Sequence, residues 1–463
     1  MKKIGFIVLV SILTAFIFLS QIKLASRPVY ENDEGIYLTS FLLIDKGHPA
    51  YKETFFSQPP GFLLTAYPGF ALFGKTLIAA RLTVGFWSVV GLLTILWISF
   101  ELGNKLIGIL TIGILYLIRY YTNQTLTFQS DIIVTTFSLL SLVSVLRYFK
   151  SQKLTWFIMA VFFLNFAFWT KFDITLVPVF AVSLLYLIKV LLRKEKRSSL
   201  RLTLTFFAVS VIFFLIFILP FGLKEVFNDS IMLRFQAINQ KTNFWLLFDY
   251  LKKDIILLSV LLGTFLLGFI SKKEIKFSAI ILVVWTFSSF VFFFFYRPLF
   301  AHHLVILSVP TALLFSYLLY LLIRSNKKIF ITVVFSVLAI SMLNYINIVL
   351  KSPPKILNKE QQKAVEIILE NTSKNDLVVS DEAILNAVSG RLPPPELSDV
   401  SYVRIYSNNL SPQKFKEIII KYKPKLIISW NGRLRSIKNF NSVLENYKKL
   451  ASFKGSQDIF FLK

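Results

Sequence analysis

Residues 30–60, YENDEGIYLTSFLLIDKGHPAYKETFFSQPP, form the first long polar interruption after a hydrophobic opening. Glu31, Asp33 and Glu34 fall within four positions, and an aromatic run from Tyr51 to Phe56 leads into Gln58-Pro59-Pro60. Between them Gly35-Ile36-Tyr37-Leu38 and Phe41-Leu42-Leu43-Ile44 read as a helix with an apolar face, which places the acidic pair at a helix N-terminus. The two prolines fix the backbone where the stretch closes. Everything around it is apolar, so clustered carboxylates here need a reason.

The surroundings are those of a polytopic membrane protein. Of 463 residues 55% are hydrophobic, and only 16% are charged, against about a quarter in soluble domains. The mean hydropathy is +0.66. The formal charge of +26 sits mostly in short basic clusters between apolar runs and in the C-terminal tail. In a membrane protein such clusters set topology and meet anionic headgroups, so nucleic acid is not the expected partner; the lipid bilayer is. There is no cysteine, which excludes disulfides and thiolate metal sites.

Apolar runs near 4–22, 77–100, 106–121, 131–149, 154–170, 172–192, 202–221, 254–270, 277–296, 300–323 and 329–350 give about eleven transmembrane helices. Leu24-Ala25-Ser26 offers a small-residue cleavage site, but the first run is longer than a signal peptide's apolar region, so it reads as an uncleaved helix. With Lys2 and Lys3 inside, the cytoplasmic gaps hold Lys105; Arg147, Lys150 and Lys153; Arg193, Lys194, Lys196, Arg197 and Arg201; Lys272, Lys273 and Lys276; and Arg324, Lys327 and Lys328. This positive-inside pattern predicts a multi-pass protein of the cell (plasma or inner) membrane with a cytoplasmic N-terminus. The exterior gaps are then 23–76, 122–130, 171–173, 222–253 and 296–301, with the tail from Lys351. The loop 222–253 mixes aromatic and basic residues; it reads either as an interfacial helix or as packing against the 23–76 loop.

The chain divides into a membrane domain, 1–350, and a small soluble exterior α/β domain, 351–463. In the latter, Lys359 to Leu369 reads as an amphipathic helix, and Ser411-Pro412 opens another that runs to about Tyr422. Leu377-Val378-Val379, Tyr402 to Tyr406 and Leu426-Ile427-Ile428 read as strands. No phosphate-cradling glycine loop or metal spacing occurs there, which leaves it support or acceptor recognition.

Asp33, Glu34 and Asp131 are the candidate catalytic acids, all at exterior ends of apolar runs. Each has an ordinary alternative: solvated loop acids for the first two, and helix capping for Ser130-Asp131. Acids that converge at one membrane level instead mark an ion or substrate site. Lys171 and Asp173 lie at the apex of an apolar hairpin and read either as a mutual ion pair or as a cation for phosphate. Arg297, His302 and His303 extend that cationic set.

The order of these elements carries a resemblance. An acidic pair follows the first span, a polar-Pro-Pro comes about 25 positions later (Asp33 to Gln58), and an Asp opens the fourth span. A Lys then caps the fifth, and an Arg/His segment precedes a Pro-containing span. The pattern, over roughly residues 1–350, resembles GT-C fold membrane glycosyltransferases of the dolichyl-phosphate-mannose–protein mannosyltransferase and aminoarabinose lipid A transferase superfamily. The resemblance implies transfer of a hexosyl or pentosyl sugar from a polyprenyl-phosphate donor to a protein, lipid or glycan acceptor at the exterior face. It implies Asp33 as catalytic base, Glu34 as its neighbour in the acceptor or metal site, and Asp131 as the second essential acid. Lys171, Arg297, His302 and His303 would bind substrate phosphate, with Gln58 and Tyr37 completing the substrate-binding set. Gln58 departs from the pattern, since His-Pro-Pro or a Lys-containing equivalent is frequent in this family and glutamine supplies no charge. Dependence on a divalent metal varies in the superfamily and stays open.

The chemistry agrees. Glycosyl transfer from a lipid phosphate needs a carboxylate to take the acceptor proton and cations or a metal for the departing phosphate. It needs no nucleotide pocket, and direct displacement by one base inverts the anomeric centre. The competing reading is a lipid or solute transporter or flippase without chemistry, which would place ionisable residues and broken helices at the midplane. A third is a structural member of the family that has lost activity, suggested by Gln58.

Overall fold

A computed structural model describes residues 3–193, 196–237, 245–271, 277–455 and 457–463. Each of the eleven expected runs carries an apolar helix, from Lys3–Leu24 to Lys327–Lys351. Among the described residues, six are long and apolar enough to cross a bilayer alone: Ile4–Leu24, Leu77–Leu102, Asp131–Ser151, Leu200–Phe221, Ala301–Ile323 and Lys327–Lys351. Lys105–Leu117, Leu154–Thr170, Phe172–Ala181 and Ala279–Phe295 are shorter apolar helices. Only 17% of the most apolar window of Leu200–Phe221 is buried by protein. The remainder, including Leu204, Phe207 and Leu215, is the surface hydrocarbon would cover, as expected where every backbone polar group is satisfied inside the helix. The basic residues Lys194, Lys272, Lys273 and Lys276 of the expected cytoplasmic clusters lie outside the described residues, as do 238–244 of the 222–253 loop.

The 23–76 loop is itself two helices, Asn32–Asp45 and Pro60–Leu72. They pack through an aromatic nest of Phe41, Phe56, Phe62 and Phe128, all with buried rings. Two close approaches require glycine. A Cβ on Gly61 would stand 2.6 Å from the Trp169 carbonyl, and one on Gly35 would stand 2.5 Å from the Ile384 backbone nitrogen. The first seats the loop on the end of helix Leu154–Thr170. The second seats it under the C-terminal region.

The C-terminal region carries a four-stranded sheet: β1 (Val378–Ser380), β2 (Leu426–Ser429), β3 (Tyr447–Phe453) and β4 (Gln457–Leu462), in the order β1-β2-β4-β3. β1 and β2 run parallel with Val379 opposite Ile427; β4 runs antiparallel to β2 with Phe460 opposite Ile427. Helices Lys359–Asn371 and Pro412–Tyr422 occupy the expected places, and Ser411 caps the second by accepting from the Lys414 nitrogen at 3.1 Å. Tyr402–Tyr406, expected as a strand, is a short helix. Its alternating Tyr-Val-Arg-Ile-Tyr composition is overridden by Arg404, which turns inward to donate to the Glu396 and Asp399 carbonyls at 2.5 and 2.8 Å. The β3–β4 hairpin was not expected from the sequence, because Lys448 and Lys449 break its apolar pattern. Phe55 N donates to Pro395 O at 3.2 Å, Ser398 Oγ to Phe55 O at 2.7 Å and Thr39 Oγ1 to Ala383 O at 3.0 Å, which ties the sheet region onto the polar loop.

Candidate active site

The site forms where the polar loop, the loop ends of several helices and the C-terminal region meet. Asp33 stands in the first turn of Asn32–Asp45 and lines a cavity of about 280 Å³ with Tyr37, Arg234, Phe300, Asp399, Tyr402 and Arg433, among others. Its carboxylate accepts a long hydrogen bond from Gln129 Nε2, 3.4 Å. Burial pushes its pKa up; His302 and Arg433 pull it down and the carboxylates Asp399 and Glu31 push it further up, leaving it above the ordinary aspartate value. Such a carboxylate is a stronger proton acceptor once ionised.

Glu34 does not join it. Arg81 grips both its oxygens, Nε to Oε1 at 2.8 Å and Nη2 to Oε2 at 2.7 Å, with both side chains fully buried. The amides of Phe128 and Tyr30 complete the shell at 2.9 and 3.1 Å. Burial works to raise the Glu34 pKa, but the Arg81 charge and hydrogen bonds outweigh it and hold the group ionised below its usual range. Arg81 also donates to the Ala25 and Arg27 carbonyls. The pair therefore pins three segments together, and all five N–H donors of Arg81 have acceptors, the Pro28 carbonyl taking the last.

Behind Asp33 lies a second group. Lys171 Nζ lies 3.0 and 3.1 Å from the two oxygens of Asp131, the first residue of Asp131–Ser151. Ser130, at the N-cap, makes no side-chain cap, and Lys171 pairs with Asp131 rather than with Asp173. Asp173 instead accepts from Tyr296 Oη and from the Ile174 nitrogen. His302 and His303, on the short turn Ala301–Leu304, are both buried, with ring centroids 4.5 Å apart. Glu31 Oε1 is 4.0 Å from His302 Nδ1. Arg234, from the 222–253 loop, is surrounded by carboxylates and phenols. Burial opposes its charge, but Asp173, Tyr296, Tyr37 and Asp33 more than offset that and hold it protonated.

Of the remaining expected ligands, Gln58 and Arg297 make other bonds. Gln58 is buried and donates from Nε2 to Tyr37 Oη at 2.6 Å, while Tyr51 Oη donates to its carbonyl. It positions Tyr37 and does not face the cavity, whereas Tyr37 does. Arg297 Nη1 donates to the Tyr296 carbonyl at 2.6 Å.

Asp131, His302 and His303 offer ligand atoms within 4.8 Å of one another, the spacing a metal ion needs. Their other contacts oppose it. Lys171 already saturates Asp131 with positive charge, and His303 Nδ1 accepts the Phe300 N–H at 3.3 Å. That bond assigns the proton of a neutral ring to Nε2, which has no partner in its buried position. An N–H donor beside an ammonium suits an anion, and a divalent cation would first have to displace Lys171.

Arg234, Asp399, Tyr402, Arg433 and Arg81 were not singled out in the sequence. Arg81 had a legible signal, an arginine inside an apolar run. Arg234 lies in a loop whose mixture of aromatic and basic residues is compatible with more than one placement. The three C-terminal residues reach the cavity only through the folding of a distant region.

Comparison with known proteins follows the same outline. The family model described as dolichyl-phosphate-mannose-protein mannosyltransferase matches residues 57–221. No curated protein sequence matches the chain. Among solved structures the chain is similar to ArnT from Cupriavidus metallidurans bound to undecaprenyl phosphate, at 14% identity and TM-score 0.72, over 99% of this chain and 98% of that one. It is also similar to the oligosaccharyltransferase of Archaeoglobus fulgidus in complex with Zn and sulfate, at 13% identity and TM-score 0.59, over 97% of this chain and 73% of that one. At these identities the likeness establishes the fold. The chain is a multi-pass membrane protein with the GT-C glycosyltransferase fold.

Proposed function

We infer that this protein is an inverting glycosyltransferase that moves a sugar from a polyprenyl-phosphate donor to an acceptor at the exterior face of a cell membrane. The observation that carries the reading is Asp33, a carboxylate with a single weak protein donor among the described residues, lining one cavity with Arg234. The donor's lipid tail lies in the bilayer, so its phosphate reaches the helix ends where Lys171, Arg234 and His303 Nε2 gather. These groups offset the charge that develops on the departing phosphate. Asp33 takes the proton from the attacking acceptor atom as the bond to the anomeric carbon forms. One base with direct displacement inverts that centre. Asp131 orients Lys171 and balances its charge. Glu34 leaves the catalytic set and acts as an anchor. The basic residues at the opposite helix ends favour the cytoplasm for that side.

The transporter reading lacks support of this kind. Asp131 begins a helix, Lys171 sits between two helices and His302 and His303 precede one. The charges therefore gather at one end of the bundle and not at its middle.

The test is transfer from a polyprenyl-phosphate-linked sugar by membranes holding either the parent or Asp33→Asn. Loss of transfer by about 10²–10⁴ is expected with undecaprenyl phosphate still bound. Full activity in the variant would remove Asp33 as the base.

A further inference from the structure

The geometry points to a carbohydrate-binding subsite on the C-terminal wall of the Asp33 cavity, which holds a pyranose ring of the acceptor on Tyr402 and Tyr406. This rests on the glycosyl-transfer reading and narrows its acceptor to a glycan or glycolipid. The two tyrosines stand one helical turn apart with rings 5.5 Å between centroids and 10° from parallel. They remain 39% and 60% exposed although both line the cavity. Arg433 lies 5.7 Å over the Tyr402 ring. Asp399, whose Oδ1 accepts the Ser401 N–H at 2.7 Å, lies beside them on the same wall.

Paired aromatic faces left in water beside a cavity gain when an apolar surface covers them. The C–H face of a pyranose is such a surface, and its rim of hydroxyls needs donors and acceptors at the edges. A guanidinium and a carboxylate supply both kinds, with the fork geometry that suits adjacent hydroxyls. A peptide bound by strand addition would instead call for a free strand edge. No residue of β1 to β4 lines the cavity, and the outer edge of β1 is occupied, since Val378 N donates to Leu392 O. Asp33 lines the same cavity, so an acceptor ring held on this wall presents its hydroxyls to the base.

The experiment uses the full chain in nanodiscs and ligand-observed saturation-transfer NMR. The probes are methyl glycosides of mannose and N-acetylglucosamine and a serine/threonine-containing hexapeptide, with undecaprenyl phosphate binding measured separately on every variant. Saturation is expected at glycoside ring C–H protons. Tyr402→Ala and Tyr406→Ala should each weaken glycoside binding about tenfold, the Phe variants should retain it, and all should bind undecaprenyl phosphate as the parent does, which also reports folding. Peptide binding without glycoside binding, or Ala variants that bind glycoside like the parent, would overturn the subsite while leaving the donor reading intact. Glycoside binding that depends on the tyrosines in a protein that ignores undecaprenyl phosphate would uphold the subsite and remove the donor assignment instead.

Discussion

Lys171 and Asp131 form a buried ion pair, 3.0 Å from Nζ to the nearer carboxylate oxygen, between residues 40 apart in the chain. Taken from water, such a pair gains little over apolar side chains of the same size, and it is costly when one member is removed. Its value here is that it holds an ammonium in place at the helix ends beside the Asp33 cavity. An arriving phosphate can share that ammonium. Lys171→Met is expected to weaken undecaprenyl phosphate binding about ten- to hundredfold, the loss of one charged hydrogen bond. A titration by tryptophan fluorescence reads this directly, and an unchanged Kd would place the phosphate elsewhere.

In the proposed mechanism the raised pKa of Asp33 sets the acid side of the rate profile. Only the ionised carboxylate accepts the proton, so kcat/KM falls as pH drops through that raised value. Asp399 is one of the charges that push it up. Asp399→Asn should therefore shift the acid limb to lower pH, whatever it does to acceptor affinity. A limb that stays fixed in this variant would show that a different group titrates.

Chelation should have little effect. With Lys171 on Asp131 and the Phe300 amide on His303 Nδ1, two of the three candidate ligands are already engaged. Transfer rates after EDTA treatment and gel filtration are expected within about twofold of the untreated protein. A loss restored by added Zn²⁺ or Mn²⁺ would reverse this reading.

Glu34 and Arg81 act as a unit of stability. Glu34→Gln or Arg81→Met leaves the other charge buried and unpaired, at an expected cost of about 3–5 kcal/mol. The double substitution should recover a large part of that loss, since no orphan charge remains. Thermal unfolding of the four forms in one detergent closes the cycle. Equal damage in single and double variants would argue for backbone contacts as the whole effect, because Arg81 also holds the Ala25 and Arg27 carbonyls.

Asp229, in the 222–253 loop, is pushed up to about 6, mainly by burial, with Arg404 and Lys414 pulling the other way. The folded value lies above the unfolded one, so its protonated form contributes stability that is complete below about pH 4 and is lost as pH rises through about 6. The size is roughly 2–3 kcal/mol. Asp229→Asn should flatten the pH dependence of unfolding over that window and stabilise the protein at pH 8. Parallel melting curves for the two forms between pH 4 and 8 would exclude this.

Much of the fold was legible because hydrocarbon imposes a simple rule. A run of about twenty apolar residues has one stable conformation there, and Asp131, Lys171, His302 and His303 could be placed at helix ends by counting. Gln58 was legible as an anomaly, and its bond to Tyr37 explains why it needs no charge. Asp33 and Glu34 could not be told apart in the sequence, because neighbours on a helix diverge by about 100°, here one to the cavity and one to Arg81. Tyr402–Tyr406 was misread because alternation cannot reveal that Arg404 must turn inward. What the sequence could not convey was the docking of a distant sheet region, which depends on Gly35 meeting Ile384 across 349 positions.

That docking has a consequence for how the protein comes into being. Asp399, Tyr402 and Arg433 belong to the last quarter of the chain, so a ribosome that has delivered every apolar helix has still not delivered one side of the cavity. Until translation nears completion, the nascent chain can hold its lipid-facing half in place without being able to enclose a reaction. Prematurely ended products would insert into the membrane and occupy space there with the Asp33 cavity open on its C-terminal side.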